Sequence, residues 1–140
     1  MKIFSVISIL AVCVIAQAQL TVTVAPPKTK GQKAVVELTI KNELTNEVKS
    51  ARAICILVDE QGKMVGQSTK WVIGQNKTHL EPKGESKFDF VITTPQPLIS
   101  SNLTAKVMFS RVILDGGKMA DVRQDVEVMP ADANDKSKSQ

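Results

Sequence analysis

The feature that most constrains the fold is an alternation of apolar and polar side chains with a period of two residues. It is clearest in residues 34–42, where Val36, Leu38 and Ile40 are separated by charged or polar residues. A strand with one buried face requires this pattern, because successive side chains point to opposite faces of a sheet. No stretch after residue 18 has a long period of 3.6 residues, so the sequence predicts an all-β domain.

Similar runs recur along the chain, separated by turns rich in Gly, Pro, Asn and Asp. We predict seven strands, at residues 20–24, 34–42, 48–59, 64–73, 86–93, 103–114 and 119–129. Short turns at 59–63 and 115–118 are typical of hairpins, so the last strand is expected to fold back beside the sixth. Many short strands with regular turn signals favour a seven-stranded Greek-key, immunoglobulin-like sandwich.

The predicted core consists of apolar residues at every second position of a run, which have the same parity and point to the same face of the sheet. In residues 53–58 both parities are apolar; we expect Ile54, Ile56 and Val58 to face the core and Ala53, Cys55 and Leu57 to fill the opposite face. The predicted core residues are Leu38, Ile40, Ile54, Ile56, Phe88, Phe90, Val107, Phe109 and Val126.

The first 18 residues predict a cleavable signal peptide. Lys2 supplies positive charge, residues 3–15 are mostly apolar, and Ala16-Gln17-Ala18 provides a small-residue cleavage site that would leave Gln19 first. The apolar run is shorter than the roughly 20 residues of a spanning helix, so no stable membrane anchor is expected after cleavage. Lipidation at Cys13 is the alternative, although Val12 stands where a lipid-attachment box has a small residue. The expected location is secreted or periplasmic.

The remaining chain has the length of one domain, residues 19–129, and a small, polar and charged tail at 130–140 that we predict to be disordered. The net charge of the whole chain is only +4, with scattered basic residues and 4% aromatic residues, so no nucleic-acid partner is expected. Cleavage removes Cys13 and leaves Cys55 without a partner for an internal disulfide.

Residue types that carry out catalysis are scarce. His79 is the only histidine, Cys55 lies in an apolar run, and one histidine cannot build a type-one copper or structural zinc site. We therefore expect no catalytic residues, no metal and no cofactor. Two groups of acidic residues are interpreted as turn or solvent-face residues: Asp59 with Glu60 in a turn, and Asp121, Asp125 and Glu127 on the last strand.

Two weaker patterns lie in loops and in the tail. Asp132, Asn134 and Asp135 lack the Gly and Glu of a calcium-binding EF-type loop. Asn76 and Asn102 fit the glycosylation acceptor pattern, which has meaning only in a eukaryotic source.

Trp71, the only tryptophan, is the one candidate ligand contact. It shares its parity with Gln67, Thr69 and Ile73 on the predicted fourth strand. It is either a core anchor or an exposed platform on which a sugar ring stacks.

Three groups of residues carry a family resemblance. They are Ile56-Leu57-Val58-Asp59 before Gln61-Gly62-Lys63-Met64-Val65; Leu80 and Gly84-Glu85 before Phe88; and Val112-Ile113-Leu114-Asp115-Gly116. The chain resembles the immunoglobulin-like domains of exported bacterial proteins, either the FxLYD type or the non-catalytic sandwich domain of β-galactosidase-type glycoside hydrolases. Leu57 and Asp59 match the FxLYD signature, whereas Cys55 and Val58 replace its Phe and Tyr. The resemblance implies a spacer, a scaffold or a binding surface.

These observations predict an exported, non-catalytic binding or scaffold module with an unknown protein or glycan partner. The alternative is a carbohydrate-binding module that uses Trp71. Residues 20–24 are a candidate sheet edge for pairing with a partner strand.

Overall fold

The structure, a computed structural model, describes residues 19–74, 79–98 and 102–131. Eight strands form two sheets that enclose one core. The strands are β1 (Leu20–Val24), β2 (Lys28–Lys30), β3 (Lys33–Asn42), β4 (Val48–Val58), β5 (Met64–Ile73), β6 (Glu85–Thr93), β7 (Thr104–Leu114) and β8 (Val126–Pro130). In the described part of the chain no helix is long and apolar enough to cross a membrane.

In the larger sheet, β3 is the central strand. One edge of β3 pairs with β2 at its start and with β1 at its end, and the other edge pairs with β6. Strand β8 adds to β1. The smaller sheet has the order β5-β4-β7 and is antiparallel throughout. The predicted all-β sandwich is confirmed, and the structure adds the three-residue strand β2 before β3. The predicted signal peptide, residues 1–18, lies outside the described residues, as do residues 132–140 of the predicted tail.

The core confirms the alternation in β3 and most of the predicted core residues. Val36, Leu38 and Ile40 are completely buried, and β6 places Phe90 and Phe88 directly opposite Val36 and Leu38. The two phenylalanine rings lie edge to face, with centroids 5.2 Å apart. Phe90 is fully buried, whereas Phe88 is half-buried at the margin of the core.

The predicted orientation of β4 is wrong. Ala53, Cys55 and Leu57 are completely buried, and Ile54 and Ile56 are half-buried on the outer face of the smaller sheet. The reason is Arg52, which has the same parity as Ile54 and Ile56. Burying that face would bury an unpaired guanidinium, whereas the opposite face contains only small or apolar residues.

The last strand also differs from the prediction. The turn at 115–118 does begin a hairpin, because Leu114 N–H donates to Lys118 O at 2.7 Å. The pairing ends at Ala120, because Asp121 then closes a turn: its side chain accepts from Arg123 N at 2.9 Å and its carbonyl accepts from Asp125 N at 2.7 Å. The chain crosses to the larger sheet, where β8 pairs in parallel with β1. Residues 20–24 therefore lie between β3 and β8, and their expected position at a sheet edge is wrong.

Asn42 is a buried polar residue that the sequence analysis did not identify. Its side-chain amide donates to Asn46 O at 2.9 Å and Leu80 O at 3.0 Å, and its side-chain oxygen accepts from Leu44 N at 2.9 Å. One buried side chain thus joins the loop between β3 and β4 to the segment before β6.

We predict that Asn42→Ala lowers the free energy of unfolding by about 1–3 kcal/mol, because three partly or fully buried backbone groups each lose one hydrogen bond. Urea unfolding followed by Trp71 fluorescence measures the loss. Asn46→Ala is the matched control: its side chain makes an exposed bond to Asp115 at 3.1 Å and should contribute less than about 1 kcal/mol. Equal losses in the two variants would contradict the role assigned to Asn42.

Candidate functional site

The outer face of the β5-β4-β7 sheet brings Trp71 together with basic and aliphatic side chains. The strand register places Arg52 directly between Trp71 on β5 and Arg111 on β7. The next row places Ile54 between Thr69 and Met108. Directly opposed residues share a face of the sheet, so these side chains form one surface. We call Arg52, Ile54, Trp71, Met108 and Arg111 the Trp71 face.

A bulge in β5 lets Trp71 lie on this outer face while Ile73, two residues later, lies in the core. Trp71 pairs with Arg52 and Ile73 with Ala51, which leaves Val72 as an extra residue. Ile73 consequently points into the core, and Trp71 is half-buried on the surface. The core-anchor interpretation of Trp71 is therefore wrong.

A shallow pocket adjoins the indole ring. It has a volume of about 310 Å³ and is lined by Ser50, Trp71, Ile73 and Gly74. Gly74 has a φ of +100°, and a β-carbon at this position would lie 2.7 Å from the carbonyl oxygen of Lys49. Only glycine therefore allows the end of β5 to approach β4 this closely.

The Trp71 face is basic as well as apolar. Strands β4, β5 and β7 contain Lys49, Arg52, Lys70, Lys106 and Arg111 but no Asp or Glu, whereas strands of the larger sheet contain both signs. Among residues 19–74, 79–98 and 102–131, the ion pairs are Lys41–Glu43, Lys49–Glu47 and His79–Glu47. The charges of Arg52, Lys106 and Arg111 are thus available to an acidic partner.

Met108 makes the face more hydrophobic than an ordinary sheet surface. Its side chain is 53% exposed, and Ile54 and Ile56 lie beside it, half-buried. Trp, Met and Arg are residue types enriched at protein interfaces. The sequence contained one signal for this face: Arg52 and Ile54 are two residues apart on one strand, so an outward Arg52 places Ile54 outward too. Trp71 joins them because it pairs with Arg52.

His79 lies away from the Trp71 face, in a small polar cluster. Its Nδ1 is 3.0 Å from the Glu47 carboxylate, and Lys49 Nζ is 3.5 Å from the same nitrogen. All three side chains are partly exposed, and among the described residues no serine or cysteine hydrogen-bonds to the imidazole. The cluster is an exposed ion-pair network of the kind that contributes little to stability.

Cys55 is a free thiol inside the core. It is completely buried among apolar neighbours, and burial raises its pKa to about 11. A thiol with this pKa is protonated at neutral pH and is a poor nucleophile. Cys55 lies in the core and His79 lies on the surface, so the two side chains do not form a thiol–imidazole pair.

The acidic residues singled out in the sequence organise turns. Asp59 accepts from the N–H groups of Gln61 and Lys63, each at 2.9 Å, in the β4–β5 turn. Asp121 and Asp125 form the turn before β8 instead of lying on a strand, which corrects their predicted position, and Glu127 is exposed on β8. Within the described ranges no group of three or more His, Cys, Asp or Glu side chains is placed to hold a metal ion.

One acidic pair was missed. Glu37 on β3 lies directly opposite Asp89 on β6, and both are exposed. The two alternating patterns gave no indication of this pair, because the strand register decides which residues meet.

The two glycosylation candidates differ in what the structure describes. Asn102 is exposed and donates to Glu60 at 3.1 Å, whereas Asn76 lies outside the described residues. Asp132, Asn134 and Asp135 lie outside them too.

We predict that Cys55 makes the protein less stable at alkaline pH. The folded-state pKa of about 11 exceeds the unfolded value of 9.0, so the unfolded chain loses the thiol proton first as the pH rises. The contribution of Cys55 to the free energy of unfolding is therefore complete below pH 9 and is lost as the pH rises toward 11. The loss is on the order of 2 kcal/mol. Urea unfolding at pH 7 and at increasing pH measures it. Cys55→Ala is the control, because it keeps the lysines, which titrate in the same pH range. Identical pH profiles for the two proteins would contradict the prediction.

Comparison with known proteins does not place the chain in a family. No protein-family model matches the chain, and no curated protein matches it significantly. One similar solved structure is the X-ray structure of Northeast Structural Genomics Consortium target SoR45, with 14% identity, a TM-score of 0.44, and coverage of 71% of this chain and 74% of that one. Another is a β-glucuronidase from glycoside hydrolase family 2, with 17% identity and a TM-score of 0.39. That alignment covers 71% of this chain but only 13% of the glucuronidase.

Proposed function

We propose that this protein is an exported, non-catalytic module that binds an acidic protein partner through the Trp71 face. The observation that carries the proposal is the composition of this face: a half-buried tryptophan, two exposed arginines and an exposed methionine on strands that contain no acidic residue. Export is proposed from the signal-peptide pattern of residues 1–18, with the mature protein secreted or periplasmic.

The chemistry of the face favours a protein partner. Ile54, Ile56 and Met108 offer aliphatic surface, which matches apolar side chains better than it matches the hydroxyl groups of a sugar. Arg52 and Arg111 flank this surface and would pair with carboxylates at the rim, which speeds association and selects the partner. Trp71 is of the residue type most often found at interface hot spots.

A non-catalytic role is supported by the positions of the reactive side chains. The single described thiol is buried and protonated, and His79 is engaged with Glu47 on a different part of the surface. Asp59, Asp121 and Asp125 bind backbone N–H groups in turns.

Site-specific photo-crosslinking tests which face meets the partner. A benzoylphenylalanine at Met108 should cross-link one defined protein in the producing cell. The same residue at Val91 is the matched control, because Val91 is 48% exposed on the larger sheet and Met108 is 53% exposed on the smaller one. Equal cross-linking at the two positions, or none at Met108, would contradict the proposal.

We predict that substitutions on the face weaken binding of the cross-linked partner once it is purified. Trp71→Ala should lower the affinity about thirtyfold, as expected for a hot spot of about 2 kcal/mol. Arg52→Glu should lower it about tenfold, with a slower association rate. Lys87→Glu makes the same change of charge on the larger sheet and should have no effect. Calorimetry measures the affinity of each variant. Stopped-flow measurement of Trp71 fluorescence gives the association rates of the two charge variants, which keep the tryptophan.

Carbohydrate binding through Trp71 is the second candidate function, because the pocket of about 310 Å³ adjoins the indole. Affinity electrophoresis on neutral and acidic polysaccharides tests it. Retardation of the native protein that disappears in Trp71→Ala would favour a glycan ligand. Migration that no polysaccharide changes would rule it out.

A further inference from the structure

Strand β7 is an edge of the smaller sheet, and half of this edge is open. One side of β7 pairs with β4 along its length. On the other side, Val112 O accepts from Ala120 N at 2.9 Å and Leu114 N donates to Lys118 O at 2.7 Å. Within the described residues no strand pairs with this side between Thr104 and Ser110, because β8 has crossed to β1.

The orientation of the backbone along β7 follows from these bonds. The N–H and C=O of one strand residue point to the same edge, and residues two apart repeat both edge and face. Val112 and Leu114 have inward side chains and backbone groups that bond at the open side. Ser110 is the extra residue of a bulge, so the alternation resumes with Phe109, Val107 and Ala105 facing inward. Their N–H and C=O groups have the same orientation as those of Val112 and Leu114. Their backbone groups point to the open edge.

An apolar groove runs beside these backbone groups. It has a volume of about 440 Å³ and lies between the start of β7 and the ends of β1 and β8. Its lining includes Val24, Pro26, Ala105, Val107, Val128 and Pro130. A strand added to β7 would insert alternate side chains into this groove.

The other side chains of an added strand would lie beside the basic outer face. Lys106 and Arg111 are exposed there and lie outside the three ion pairs given above. Carboxylates on the added strand would neutralise them, since cross-strand pairs of opposite charge stabilise a sheet.

We propose that the open edge of β7 receives an extended segment of a partner protein in which apolar and acidic residues alternate. Apolar side chains fill the groove, acidic side chains face Lys106 and Arg111, and the backbone bonds to Ala105, Val107 and Phe109. Such strand addition gives affinity through the backbone and specificity through alternate side chains. The β7 edge shares Arg111 with the Trp71 face, but its tests use Lys106 and the backbone of β7, so either site can fail experimentally without the other.

Amide hydrogen exchange measured by NMR tests the proposal. The probe is a seven-residue peptide of alternating valine and glutamate, acetylated and amidated, added to the purified protein. We expect exchange at Ala105, Val107 and Phe109 to slow at least tenfold, while Lys106 and Met108, which already face β4, stay unchanged. Failure of the peptide to bind, or binding without this alternating protection, would overturn the proposal.

Exchange in the protein without peptide provides a further decisive outcome. If Ala105, Val107 and Phe109 are already protected, the edge is covered by a second copy or by another part of this chain, and the proposal is overturned. Rapid exchange there, together with a monomeric mass by analytical ultracentrifugation, supports it.

Two sets of variants separate strand addition from simple charge attraction. N-methylation of one alternating set of peptide residues should abolish binding, and methylation of the other set should preserve it, because only one set faces β7. Lys106→Glu should weaken the peptide about tenfold, whereas the matched variant Lys87→Glu on the larger sheet should not. Equal effects of both methylated peptides, or of both lysine variants, would mean that the peptide does not pair with β7.

Discussion

The charge of Arg52 restricts how the whole smaller sheet can pack. An unpaired guanidinium is too costly to bury, so β4 must turn Arg52 outward, and Ile54 and Ile56 follow because they share its parity. The opposite face, with Ala53, Cys55 and Leu57, becomes the core face and is completely buried. Trp71 and Met108 then lie outside as well, since they pair with outward-facing residues of β4.

The core face of β4 contains mainly small side chains. Larger core side chains come from the facing sheet, where Leu38, Ile40 and Phe90 are completely buried, and from Phe109 on β7. The aliphatic residues that a larger core would have used remain on the surface. A face that combines aliphatic, aromatic and basic side chains is therefore a by-product of which side of β4 is buried.

The turn at Asp121 has the second large effect on the surface. Without it, the hairpin at 115–118 would continue, and the last strand would cover the free edge of β7. Side-chain and backbone bonds within residues 121–125 redirect the chain, and β8 adds to β1 instead. One sheet gains a parallel strand, and the other keeps an open edge beside an apolar groove.

The residue pattern alone predicts the all-β class, the positions of β1 and of β3 to β7, and the inward side of β3 and β6, because clear alternation leaves only one face that can be buried. The scarcity of reactive side chains follows from composition. The packing of the two sheets selects the orientation of β4, where both parities are apolar and local pattern cannot choose between them. It also selects the partner of the last strand, the bulge that separates the outward Trp71 from the inward Ile73, and the buried bonds of Asn42, because each depends on groups distant in sequence that meet only after the two sheets have packed.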